Sequence, residues 1–228
     1  PRFDGLDEGR SREGANPITG IAELLQNNFY GLGLEDVVDL PTAAAIANHL
    51  KDRTKTVAVP GDASHTAHMA YCSAYLTERQ TVLSFISEVL EPIDGWARRN
   101  GTKIEFGCYP HDGQVPDGLT ELTLHDLTED PNFSGPGFDD DDVITDTIVN
   151  GPDRDLDMEE SGEVGSNPAA RERLGQTIQK TFTRPFLITS YQRKEQAQEL
   201  AHYFSKPGDP VEISVRRSKA KHLMPGDR

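Results

Sequence analysis

Cysteine is scarce: Cys72 and Cys108 are the only two in 228 residues. No disulfide framework can therefore staple a small core, and a reducing compartment or indifference to redox is expected. No apolar run approaches the ~20 residues that span a bilayer as a helix. The opening Pro1-Arg2-Phe3-Asp4 lacks the basic and apolar regions of a secretion signal. The expectation is a protein of the cytoplasm or of a virion, without a transmembrane segment and not secreted by that route. Basic residues are also short, 23 against 38 acids for a net charge of −15, which argues against a general nucleic-acid binder because phosphate contacts need Lys and Arg. A Gly-x-Ser-x-Gly elbow, a phosphate-binding glycine loop, a dinucleotide fingerprint, a His-Glu-x-x-His pair and any internal repeat are missing too. Their absence lowers the enzyme reading.

What is present is enough chain to bury a real core, as one large domain or two small ones. With 20 glycines, 15 prolines and a mean hydropathy of −0.59, much of it should be loop. The acids concentrate between Asp126 and Glu163, where Asp139, Asp140, Asp141 and Asp142 run together. An Asp-rich surface of this kind suits solution in high salt, where screening shortens to about 3 Å at 1 M, so a salt-adapted host is one expectation and an ordinary acidic protein the other.

In chain order, residues 1–15 are expected to be an extended arm, poor in apolar side chains. A helical region follows over 16–101. Asn16-Pro17 starts the first helix, Ile18, Ile21, Leu24, Leu25 and Phe29 form its stripe, and Gly31 and Gly33 stop it. A second helix begins at Leu40-Pro41, and the alternation of Thr54 to Val59 predicts a short strand ended by Pro60-Gly61. From Ser64 to Asn100 the spacing predicts the longest helical stretch, kinked or ended at Pro92, with Thr77 and Gln80 as a capping box inside it. Beyond Gly101 lies an α+β region, 102–217, containing an acidic insert over 126–166. Strands are expected at Lys103–Tyr109, Leu119–Leu124, Val143–Val149 with a turn at Asn150-Gly151, Phe186–Thr189 and Val211–Val215. Helices are expected from Asn167-Pro168, with Leu174, Ile178 and Phe182 on one face, and from Ser190 to Phe204. A basic tail over 218–228 follows Arg216 and Arg217. The fold class is thus α+β, a helical N-terminal half followed by a small, mostly antiparallel sheet with two further helices.

The sharpest chemical constellation is His65, His68 and Cys72, which share one face if this stretch is helical, together with Cys108 and His111. Imidazole and thiolate are ligands that zinc accepts; the competing reading makes His68 and Cys72 ordinary core residues. Asp153, Asp155 and Asp157 alternate as calcium-loop carboxylates do, yet Met158 stands where that loop turns on Gly. They offer Ca or Mg binding, or simply a solvated loop. Asp117 with Glu121, His111-Asp112 and His125-Asp126 lack the further ligands of nuclease and phosphohydrolase sites.

The leading expectation is a non-enzymatic structural subunit of a large assembly: a head, neck or tail-connecting component of a virion from a salt-adapted host. Its arm, insert and tail would contact other copies and other subunits, with no membrane. Nucleic acid is a partner only through the basic residues Arg216, Arg217, Lys219 and Lys221. The alternatives are a metal-dependent hydrolase or nuclease and an acidic mimic of DNA.

Overall fold

The computed structural model describes residues 10–29, 31–59, 61–73, 81–108, 126–128, 132–133, 143–205, 211–212 and 214–215. The first described residues form a tight antiparallel hairpin, β1 (Arg10–Ser11) and β2 (Gly14–Ala15), within the stretch expected as an arm. Helix α1 (Pro17–Gln26) starts where the sequence indicates. The buried Asn16 accepts the Ile18 N–H on its Oδ1 at 3.1 Å and donates its amide to the Ala47 carbonyl at 2.8 Å. One side chain thereby caps α1 and ties it to α2 (Leu40–Asp52). Ala43, Ala47 and Leu50 form the buried face of α2.

The hairpin β3 (Thr54–Val59) and β4 (Asp62–His68) follows, turning through Gly61 at φ +86°. Helix α3 (Val82–Leu90) is capped by Thr81, whose hydroxyl accepts the Ser84 N–H at 3.1 Å. It gives way to a short 3-10 turn at Glu91–Ile93, so Pro92 ends the helix as expected. Then β5 (Gly95–Asn100) and β6 (Lys103–Cys108) pair around Gly101, φ +61°. A Cβ on Gly107 would stand 2.2 Å from the Trp96 ring, so glycine there lets the indole lie flat on the neighbouring strand. Among the described residues the expected long helix over 64–100 is instead the end of β4, the nine-residue α3 and the first strand of a hairpin. The apolar stripe of α3 is real, but it cannot be carried backwards to Cys72, because the backbone there is extended and pairs with Ala15.

The second half is built on β8 (Asp146–Asp153), preceded in the chain by the two-residue strand β7 (Asn132–Phe133). β9 (Glu159–Ser166) pairs with β8 antiparallel after a 3-10 turn at Arg154–Leu156. Helix α4 (Pro168–Leu174), capped by Asn167, stops at Gly175 in the left-handed conformation. β10 (Gln179–Thr183) then joins the other side of β8 in parallel. Ile178 and Phe182 are thus not on the helix with Leu174. The strand expected at 143–149 runs on through Asn150-Gly151 to Asp153, because Gly151 is needed for closeness, not for a turn: its Cβ would lie 2.5 Å from the Arg184 carbonyl oxygen. Residues 186–189, expected as a strand, form a buried irregular segment leading into α5 (Ser190–Phe204). β11 (Val211–Glu212) pairs with β7, and Val215 bridges Leu127.

The chain is an α+β protein with small antiparallel and mixed sheets, less helical in its first half than the sequence suggests. The hydrocarbon core lies in that half, around Ile18, Ile21, Leu25, Leu50, Phe85, Val89, Leu90 and Phe106. Phe186 reaches into it from the second half, edge-on to Phe85 at 5.7 Å. Helix α5 covers β8 and β9 and also faces the first half. Its Gln192 donates to the Tyr71 carbonyl at 2.7 Å, and its Gln196 donates to that of Pro92 at 3.2 Å. Lys55 pairs with Glu195. No helix among the described residues is long and apolar enough to cross a membrane. The expected Leu119–Leu124 strand, the Thr77–Gln80 box, the Asp139–Asp142 run and the basic tail lie outside the described residues.

Candidate functional site

His65 and His68 sit on β4, three positions apart on an element of period two, so they leave it on opposite faces. His65 Nε2 lies 2.9 Å from Glu13 Oε1. His68 Nδ1 lies 3.1 Å from the Lys51 carbonyl oxygen, and its ring stacks on Tyr71 at 4.3 Å. Cys72 is buried, and its backbone exchanges hydrogen bonds with Ala15. Cys108 ends β6 opposite Gly95, and His111 lies outside the described residues. Asp153, Asp155 and Asp157 do not converge on a common point either. Asp153 faces Arg193 at 2.6 Å, Asp155 pairs with Arg12, and Asp157 occupies a left-handed turn at φ +54°. Among the described residues no group of three or more His, Cys, Asp or Glu side chains is placed to hold a metal ion.

What the fold does gather is a buried polar junction. Glu13, at the tip of the β1–β2 hairpin, is fully buried and accepts a hydrogen bond from the Tyr191 hydroxyl on the oxygen that meets His65. Three elements distant in sequence thus share one carboxylate. Burial, and then the Glu13 carboxylate as hydrogen-bond acceptor and neighbouring charge, push the Tyr191 phenol well above its ordinary value. Arg12, beside Glu13, pairs with Asp155, and Arg154 donates to the Arg12 carbonyl at 2.7 Å. Behind them Arg193 is completely buried. Its guanidinium donates to the Asp153 carboxylate and the Ser161 hydroxyl, each at 2.6 Å, and to the carbonyls of Pro152 at 2.6 Å and Leu187 at 3.0 Å. These bonds fasten α5 to β8, to β9 and to the segment before the helix. Sequence reasoning missed Glu13, Tyr191 and Arg193. Only Arg193 left a signal, since Arg193, Ala197 and Ala201 recur every four residues on one helix face.

No protein-family model and no curated protein matches this chain.

The second local feature inverts the first. Phe29, expected on the buried stripe of α1, is 99% exposed, because the helix ends at Gln26 and the chain turns before the stripe is reached again. Leu32 and Leu34 beside it are 46% and 44% exposed. The turn is tightly bonded. Asn27 accepts the Phe29 N–H on its side chain at 2.8 Å, and its carbonyl accepts the N–H groups of Gly31 at 3.1 Å and Gly33 at 3.2 Å. Leu32 N–H and Leu34 N–H return to the carbonyls of Leu24 and Leu25 at 2.8 and 2.9 Å. Glycine is required at both hinges: a Cβ on Gly31 would meet the Leu24 oxygen at 2.4 Å, and Gly33 has φ +63°. The backbone is therefore held, and it holds three apolar side chains outward.

Proposed function

We propose that this chain is a non-enzymatic structural subunit of a multimeric assembly, and that the Phe29–Leu34 turn is one of its contacts. The observation that carries the reading is a fully exposed phenylalanine on a hydrogen-bonded turn. A large aromatic side chain presented at low entropic cost is the usual anchor of a protein interface, where it fills a pocket on the partner. For the kind of assembly we propose a virion, as a head, neck or tail-connecting part, from a host living in high salt. The excess of 38 acidic over 23 basic residues supports the second half of that statement.

Size exclusion coupled to light scattering, on the full chain in low and high salt, tests the proposal. A concentration-dependent multimer is expected. A mass that stays monomeric throughout would remove the reading.

A further inference from the structure

The Phe29–Leu34 turn lies in a stretch of the chain whose own charges are all acidic. No Lys or Arg occurs between Arg12 and Lys51, whereas Glu23, Glu35, Asp36 and Asp39 do. Glu35 is exposed beside the turn, and the Asp36 side chain is 85% exposed although it pairs with Lys103. An occupant of this surface needs apolar groups for Phe29 and cations for the carboxylates. Size adds a further demand. A Phe side chain and two half-exposed leucines offer on the order of 400 Å², about half of the ~800 Å² that each partner contributes to a stable interface. The remainder has to come from the charged surroundings.

One stretch of this chain has that complementary chemistry. Arg216, Arg217, Lys219 and Lys221 stand together with no acid among them, and Leu223 and Met224 follow after His222. Methionine adapts its shape to an aromatic ring and makes favourable sulfur contacts with it. On a chain of net charge −15, so dense a basic cluster is a specific place for an acidic surface to dock.

Resting on the assembly reading above, we infer that the turn at Phe29 receives residues 216–224 of a second copy. The basic side chains face Glu35 and Asp36, and Leu223 and Met224 cover the Phe29 ring. Because each copy carries both a turn and a basic segment, the contact either closes reciprocally in a two-fold dimer or runs head-to-tail into a ring or a filament.

The test places a photo-cross-linking phenylalanine analogue at position 29 of the full chain and maps the products by mass spectrometry. Cross-links from position 29 to residues 215–224 between two copies are expected. They should vanish in the variant combining Arg216→Glu, Arg217→Glu, Lys219→Glu and Lys221→Glu, and return when Glu35→Lys and Asp36→Lys are added. Phe29→Asp should weaken association by roughly thirtyfold, the loss that follows removal of an aromatic anchor. A multimer that cross-links elsewhere, links only within one chain, or survives Phe29→Asp unchanged overturns the inference and leaves the assembly reading standing. A wild-type monomer at every concentration and salt overturns both.

Discussion

The two halves of this protein close around different kinds of matter. From Ile18 to Phe106 the interior is hydrocarbon. Around α5 it is mixed: Ala197, Ala201, Val149, Ile144, Leu187 and Ile188 lie with Thr145, Thr147, Asp153, Gln192 and the whole of Arg193. A hydrocarbon core is forgiving, because apolar contacts have no direction. A buried guanidinium is not, since each N–H needs an acceptor at a fixed place and a missing partner leaves a charge in low dielectric. The comparison teaches that the first half is stabilised chiefly by area removed from water, while the second is aligned by hydrogen bonds that accept one register of α5 on β8 and β9. The close approach there supports this: a Cβ on Gly165 would lie 2.2 Å from the Ala197 carbonyl, so helix and strand touch backbone to backbone.

The comparison is most exposed to failure at Arg193. Arg193→Ala should cost about 3–5 kcal/mol, because Asp153 is left buried without its cation. Arg193→Met combined with Asp153→Leu should recover most of that loss, as replacing both members of a buried pair often does. Urea unfolding of the three proteins decides the matter, and a double variant no more stable than the single would show that the ion pair is not what aligns α5. In the hydrocarbon half, Leu25→Ala should cost about 2–5 kcal/mol with no such rescue by charge. Differential scanning calorimetry reads that loss. A negligible change would mean that this core is not the main source of stability.

A smaller effect is confined to alkaline solution. The Tyr191 phenol is held above its ordinary value near 10, so the folded chain keeps a proton there that the unfolded chain releases. The stability linked to it is complete below pH ~10 and falls as pH rises through the folded value. Wild type should therefore lose stability above that pH more steeply than Tyr191→Phe, as thermal unfolding across the alkaline range would show. Equal slopes would sever the phenol from the Glu13 junction. The smallest effect sharpens the contrast between inside and outside. Phe29→Ser should change unfolding stability by less than about 0.5 kcal/mol, since its ring covers nothing in its own chain. A larger loss would mean that the turn belongs to the fold and not to a partner.

Residues whose local chemistry dictates their structure were legible. Asn16-Pro17 announced α1, Leu40-Pro41 announced α2, Pro92 ended α3, and Ser190 to Phe204 was a helix. Errors fell where a periodic stripe continued past the element that owned it. The stripe of α1 reached Phe29 in sequence after the helix had ended. That of α3 ran back through a strand to His68 and Cys72, and that of α4 ran forward to Phe182. β9 was hidden because Glu159, Glu160, Gly162, Glu163 and Gly165 have little intrinsic preference for a strand. The β8 ladder and the cover of α5 form it instead.

By itself the sequence determined the class of the protein, its charge, the starts of α1, α2, α4 and α5, and the end of α3 before Pro92. These depend on dihedral limits and on neighbours a few residues away, which any chain carries locally. Only the tertiary structure decided that Glu13 would be buried against His65 and Tyr191, that Asp153 would face Arg193, and that Phe29 would stand in solvent. The reason is range. A carboxylate on a short hairpin has the same local preferences whether or not a histidine 52 residues away and a tyrosine 178 residues away arrive to bond it; the β3–β4 hairpin brings the first and α5 the second.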